Sequence, residues 1–112
     1  MLNACILTVC FGVASAAQAC DTALLLAIDV SNSVDTGEYR LQVDGLADAL
    51  LDPEIVEAMV RGQVAIAVMQ WSGVDRQVIT TPWRQVLRAD DATDLALSAR
   101  TTLRQIAGQL RI

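Results

Sequence analysis

The sequence contains no histidine and no lysine, and only four of its 112 residues are aromatic. Because serine hydrolases use histidine as their general base, its absence argues against a nucleophilic serine in this chain. The eight basic residues are all arginines, and the 13 acids are spread along the chain. A nucleic-acid partner would require a basic stripe, so none is expected. With so few rings, a core must consist of Leu, Val, Ile and Ala, and the 54% hydrophobic content is too high for a disordered chain.

The first 20 residues carry no charged side chain. An apolar run over residues 5–14, followed by Ala17-Gln18-Ala19, predicts a signal peptide over residues 1–19 that is cleaved before Cys20. No basic residue precedes the run, which departs from the usual signal pattern. The run is shorter than the roughly 18 residues of a membrane span. We therefore expect export to the periplasm or the extracellular space, with no stable membrane span after cleavage.

Cleavage would leave Cys20 as the only cysteine, because Cys5 and Cys10 lie in the leader. A single cysteine cannot form an internal disulfide, so the thiol is free, bonded to another chain, or lipidated. Ala17 stands three residues before the cysteine, where lipoprotein signals usually have Leu. This departure argues against lipidation.

Two apolar segments, residues 23–28 and 63–71, predict strands, and the first has the pattern of a strand buried on both faces of a parallel sheet. A shorter segment over residues 77–81 alternates like an edge strand, and Pro82 is expected to end it. The short connection after residue 71 allows an antiparallel hairpin. The first two strands are separated by helical segments, which predicts a βαβ-like crossover and an α/β fold.

Three helices are predicted. Asp35 and Glu38 form the pattern of a capping box, and apolar residues follow at helical spacing. The dipeptide Asp52-Pro53 predicts the start of a short second helix. A third helix is expected from about residue 90 to residue 107, with Arg104 in its last turns, where the helix dipole favours cations.

Asp29, Ser31 and Ser33 follow the first strand directly, in the pattern D-x-S-x-S. Ligands of parallel sheets bind outside the carboxyl ends of the strands, and Mg²⁺ prefers oxygen ligands. The three side chains can therefore converge on one cation, which we predict to be Mg²⁺, with Mn²⁺ or Ca²⁺ as alternatives. The other interpretation is that they are ordinary loop and capping residues. Their position between an apolar strand and a capped helix favours the metal site.

The segment 24–33 resembles the opening strand and metal-ion-dependent adhesion site of von Willebrand factor A (VWA) domains. Residues 21–108 also resemble an uncharacterised, exported bacterial branch of that fold. The later segments that carry this similarity are Glu38-Tyr39-Arg40-Leu41-Gln42, Asp52-Pro53-Glu54, Trp71-Ser72-Gly73 and Pro82-Trp83. The resemblance implies a VWA- or Rossmann-like doubly wound, mostly parallel sheet, with one antiparallel edge pair and helices on both faces. It also implies that Asp29, Ser31 and Ser33 ligate the metal.

A complete VWA domain is nearly twice as long and adds a Thr and an Asp to the metal from two later loops. The second ligand loop is expected where this chain ends, so residues 20–112 are interpreted as the N-terminal half of a VWA-like domain with an incomplete site. The strands that such a half lacks would leave an exposed apolar edge.

The predicted function is metal-ion-dependent binding of a protein or an acidic ligand outside the cytoplasm, without catalysis. One alternative is an inactive structural fragment of a truncated gene. Another is a divalent-metal phosphohydrolase with Asp29 as the nucleophile. That chemistry usually requires a second Asp two residues later, and Ser31 occupies that position.

Overall fold

The computed structural model describes residues 20–102 and Arg104. They form a mixed α/β structure with one three-stranded sheet and three helices. The elements follow the order β1 (Ala23–Asp29), α1 (Thr36–Leu51), α2 (Pro53–Arg61), β2 (Ala65–Trp71), β3 (Gln77–Gln85) and α3 (Ala89–Thr101). The predicted signal peptide, residues 1–19, lies outside the described residues. Within the described part of the chain, no helix combines the length and apolar character needed to cross a membrane.

The two helix starts that capping patterns predict, at Asp35 and at Asp52, are confirmed. The Asp35 carboxylate accepts a hydrogen bond from the Glu38 amide at 2.8 Å, and the Glu38 carboxylate accepts one from the Asp35 amide at 2.8 Å. The Asp52 carboxylate accepts from the amides of Glu54 and Ile55 in the same way. These bonds satisfy amides that have no partner inside the helix, so α1 and α2 begin at points that local sequence specifies.

The third helix is shorter than predicted. It ends at Thr101 rather than near residue 107, and Thr102 has an extended backbone with φ −67° and ψ 125°. Thr102 donates both its amide, at 3.0 Å, and its hydroxyl, at 2.6 Å, to the Ser98 carbonyl. The Thr102 carbonyl accepts from the Tyr39 hydroxyl of α1 at 3.2 Å, a tertiary contact that takes the place of a further helical turn. Arg104, predicted within the helix, therefore lies beyond it.

The sheet has the order β1-β2-β3, with β1 parallel to β2 and β2 antiparallel to β3. The predicted crossover and hairpin are thus confirmed. In the central strand β2, the side chains of Ile66 and Ala67 are 0% exposed. The prediction that β1 is buried on both faces is wrong for the described residues, because successive side chains, Leu24 and Leu25, are 42% and 44% exposed. Strand β1 is also an edge of the described sheet. Within the described residues, this edge strand therefore exposes apolar side chains.

Strand β3 continues to Gln85, so the prediction that Pro82 ends it is wrong. The register between β2 and β3 shifts at this point. Val68 pairs with Thr81, whereas Ile66 pairs with Arg84. Two residues of β3 therefore lie opposite one residue of β2, as in a β-bulge. Proline donates no amide to a ladder and is tolerated at bulges on edge strands, which explains how the strand continues through it.

All three helices lie against one face of the sheet. Ile66 on β2 belongs to an apolar cluster that contains residues of every helix, which we call the packed cluster: Ala47, Leu50, Met59, Ile66, Val86, Ala92, Leu95 and Ala96. Two residues further along β2, on the same face, Val68 belongs to the loop-side cluster: Ile28, Val30, Tyr39, Val43 and Val68. The described residues place helices on this face alone, so helices on both faces stay a prediction. On β1, Leu25 and Ala27 are exposed on the opposite face.

Candidate metal site at the end of β1

The structure brings the side-chain oxygens of Asp29, Ser31 and Ser33 together. The Ser31 hydroxyl donates to Asp29 Oδ1 at 2.6 Å, and the Ser31 amide donates to the same oxygen at 2.9 Å. The Ser33 Oγ lies 3.1 Å from the Ser31 Oγ. Because the single hydroxyl proton of Ser31 is used on Asp29, Ser33 is the donor in this pair. The D-x-S-x-S pattern therefore forms a continuous row of three oxygens.

This row lies at the protein surface and carries one negative charge. Ser33 is exposed, and Asp29 and Ser31 are partly exposed. The Ser31 hydroxyl and then the Ser31 amide lower the pKa of the Asp29 carboxyl below its ordinary value of 3.8. Partial burial opposes the shift, and the positive charge of Arg104 adds to it. Asp29 is therefore ionised at neutral pH and available as an anionic oxygen ligand.

The backbone of Asp29 is held by the Gln42 side chain of α1. The Asp29 amide donates to Gln42 Oε1 at 3.1 Å, and Gln42 Nε2 donates to the Asp29 carbonyl at 3.0 Å. Since β1 has a strand partner on one side only in the described sheet, these two bonds replace the pairing of a neighbouring strand at this residue. The carboxylate of Asp29 therefore projects from a fixed backbone.

A second support comes from Arg104, beyond α3. Its Nη2 donates to the carbonyl oxygens of Val30, Ser31 and Val34 at 3.3, 2.9 and 2.6 Å. Its guanidinium carbon lies 5.3 Å from the centre of the Tyr39 ring, within the range of a cation–π contact. One guanidinium thus contacts both ends of the loop that carries the three oxygens.

Tyr39 connects this arrangement to the interior. Its ring is 7% exposed, and its hydroxyl donates to the Thr102 carbonyl at 3.2 Å. Gln70 Nε2 donates to the same hydroxyl at 3.4 Å. Burial raises the pKa of Tyr39, so the phenol stays protonated and keeps its hydrogen to donate. Tyr39 packs at the start of α1 within the loop-side cluster, and its polar contacts were not predicted from the sequence.

Two supporting residues were missed from the sequence. Gln42 lies three positions after Tyr39 on α1, so helical spacing could have placed it beside that buried ring. Arg104 lies 70 residues from Val34, its nearest loop partner in sequence, and no spacing rule relates the two. Its role is visible only in three dimensions.

The spacing of the oxygens fits a small divalent cation. Two ligands at adjacent positions of an octahedral Mg²⁺, each at 2.0–2.1 Å, lie about 2.9 Å apart. The observed separations of 2.6 and 3.1 Å lie on either side of that value. They are equally the separations of hydrogen bonds. Among the described residues, no group of three His, Cys, Asp or Glu side chains is placed to hold a metal, so an ion here would have one carboxylate and two hydroxyl ligands.

Comparison with known proteins gives a family. Neither the curated proteins nor the solved structures produced a match to the chain. Residues 19–111 match the family described as Protein of unknown function (DUF1194). The matched range contains all six elements of the structure and the loop with Asp29, Ser31 and Ser33. The chain belongs to DUF1194, a family of proteins of unknown function.

Proposed function

We propose that this protein is an exported, VWA-like binding domain. Asp29, Ser31 and Ser33 hold a divalent cation, Mg²⁺ or alternatively Mn²⁺ or Ca²⁺, and the ion binds an acidic ligand or protein partner without catalysis. The observation that carries the proposal is the row of three oxygens at the end of β1, separated by 2.6 and 3.1 Å.

The charge of the site favours an anionic ligand. The three protein oxygens contribute one formal negative charge, and the Arg104 guanidinium contacts carbonyls of the same loop. A divalent cation held there keeps a net positive charge and open coordination positions. The N-terminus of α1, which begins three residues after Ser33, adds a favourable dipole for anions. A carboxylate of the partner would therefore complete the coordination shell.

The position of the loop in the fold supports the same proposal. It follows a strand that is parallel to its neighbour and precedes a helix that returns over the sheet. In open α/β sheets with this connection, ligands bind at the carboxyl ends of the strands. The VWA-like affiliation and the export of the protein are parts of the proposal, the latter motivated by the leader-like residues 1–19.

One observation favours an inactive structural role instead. Asp29 Oδ1 accepts from both the hydroxyl and the amide of Ser31, and short polar side chains close loops in this way without any ion. Under this alternative the D-x-S-x-S segment is a self-contained turn before α1, and added cations leave it unchanged.

Calorimetric titration with Mg²⁺ and with Mn²⁺ distinguishes the metal site from the inactive structural role. We expect saturable heat from the wild type and from Asp44→Ala, which removes an exposed acid in the middle of α1. Asp29→Ala should abolish the heat while its circular dichroism stays unchanged, because it removes the only charged ligand. Identical heats for the wild type and Asp29→Ala would refute the metal site. No heat from any variant would support the inactive role.

The charge of the ligand is tested with the metal-loaded protein. Acetate, added as a carboxylate probe, should tighten Mg²⁺ binding by the wild type, and Asp29→Ala should show no such effect. Turnover of a phosphate monoester that depends on Asp29 and Mg²⁺ would contradict the non-catalytic proposal and favour the phosphohydrolase.

A further inference from the structure

We infer that Arg104 is a positioning residue for the candidate metal site, and that it holds the D-x-S-x-S loop in its closed shape from beyond α3. The inference rests on the proposed metal function. No local sequence pattern marks Arg104 for this role, because it lies 73 residues from Ser31.

The contacts of Arg104 span the loop. Val30 and Ser31 lie before the second hydroxyl ligand and Val34 lies after it, and Nη2 donates to the carbonyls of all three. The Val34 amide also donates to the Ser31 carbonyl at 3.0 Å, so this carbonyl accepts from both Val34 and Arg104. Hydrogen bonds from a charged donor are stronger than neutral ones. Convergence of these carbonyls on one atom therefore fixes where the Ser31 and Ser33 hydroxyls point.

Arg104 is itself held in place by α1. The Tyr39 ring lies under the guanidinium, and the Tyr39 hydroxyl donates to the carbonyl of Thr102, two residues before Arg104. Tyr39 lies in the first turn of α1, whose start is fixed by the capping box of Asp35. A supporting side chain that is fixed by its own contacts restricts the positions of the metal ligands more than a mobile side chain does.

The charge of Arg104 acts in the opposite direction. A guanidinium close enough to lower the pKa of Asp29 also repels a divalent cation. The two effects make opposite predictions for a neutral substitution. If repulsion dominates, removing the charge strengthens Mg²⁺ binding. If positioning dominates, as we infer, removing the guanidinium weakens Mg²⁺ binding, because three carbonyls lose their common donor and the loop opens.

The test compares Arg104→Met with Arg100→Met. Arg100→Met makes the same change in charge and side chain. The Arg100 side chain, however, donates to Asp48 at 2.5 Å on the exposed surface. We expect Arg104→Met to bind Mg²⁺ about tenfold more weakly than the wild type, as is typical when the support of a metal ligand is removed. Arg100→Met should bind as the wild type does. Equal or tighter binding by Arg104→Met would overturn the inference.

A second measurement does not depend on the metal. Amide hydrogen exchange in metal-free protein should be faster for Ser31 and Val34 in Arg104→Met than in Arg100→Met, with the amides of β2 unchanged. Faster exchange confined to the loop supports the part of the inference in which Arg104 holds the loop. If the wild type also binds no Mg²⁺, the proposed function fails, and with it the role of Arg104 toward a metal. Unchanged loop exchange overturns the inference.

Arg104→Lys covers the case in which Arg104→Met does not fold. Lysine keeps the charge and can donate to a carbonyl, but it lacks the planar guanidinium that lies over the Tyr39 ring. For Arg104→Lys we expect hydrogen exchange of the loop amides that is faster than in the wild type, and Mg²⁺ binding that is weaker. Both effects should be smaller than those expected from loss of the whole side chain. Wild-type values for both would overturn the role of the guanidinium.

Discussion

The two clusters on the helix-covered face of the sheet are stabilised in different ways. The packed cluster contains only apolar side chains, and four of its members, Ala47, Ile66, Val86 and Ala92, are 0% exposed. The loop-side cluster contains Tyr39, whose hydroxyl and ring contact Thr102, Gln70 and Arg104. Close packing therefore holds the helices on the sheet, whereas polar contacts hold the loop that carries the candidate site. Only the second region has charges and open oxygens that can respond to an ion, a ligand or pH.

This difference predicts unequal effects of substitution. Truncation of a buried apolar side chain removes its contacts and leaves a cavity, at a cost of about 2–5 kcal/mol for leucine. Loss of a hydrogen bond at a partly exposed position costs only about 1 kcal/mol, because water replaces the missing partner. Substitutions in the packed cluster should therefore unfold the protein, and substitutions around the loop should alter the site first.

The largest effect is expected for Leu95→Ala. Leu95 lies in the packed cluster and is 2% exposed. Its truncation should lower the free energy of unfolding by about 2–5 kcal/mol, measured by urea denaturation with tryptophan fluorescence. Leu97→Ala, on the same helix but 60% exposed, should change it by less than about 0.5 kcal/mol. Similar losses for both variants would contradict the packing of α3 on the sheet.

An intermediate effect is expected for Gln42→Ala, which removes both bonds to the Asp29 backbone. The free energy of unfolding should fall by about 1 kcal/mol, and hydrogen exchange of the Asp29 amide should accelerate. Leu41→Ala, at a neighbouring position that is 75% exposed, is the matched control and should leave both quantities near the wild-type values. A loss as large as that of Leu95→Ala would remove the distinction between the two regions.

The smallest effect on stability is expected for Ser31→Ala, which should raise the pKa of Asp29 toward 3.8, because the Ser31 hydroxyl is the largest cause of its lowering. A carboxyl with a lowered pKa stabilises the fold above its unfolded-state pKa. That contribution is lost as the pH falls through the folded-state pKa. Ser31→Ala should therefore weaken the pH dependence of stability below about pH 4.

An NMR titration of the Asp29 carboxyl carbon measures this shift directly. Ser33→Ala is the control, because Ser33 bonds to the Ser31 hydroxyl rather than to Asp29. The pKa of Asp29 in this variant should stay close to the wild-type pKa. An unchanged Asp29 pKa in Ser31→Ala would contradict the hydrogen bond between the two side chains.

The errors of prediction share a physical cause. The early end of α3, the exposure of β1 and the continuation of β3 through Pro82 all depend on neighbours in space. A six-residue apolar run specifies a strand, but only the number of its partners decides whether it is central or an edge. A proline stops a strand where an amide is needed, and the bulge opposite β2 removes that need.

The sequence by itself determined the order of the elements, the starts of α1 and α2, and the row of oxygens from Asp29 to Ser33. These features rest on atoms within four positions of one another, so spacing along the chain is enough to specify them. Only the tertiary structure decided what holds that row. Gln42, Tyr39 and Arg104 reach the loop from α1 and from beyond α3. Contacts between distant segments follow from how the helices pack on the sheet, and no local pattern encodes them.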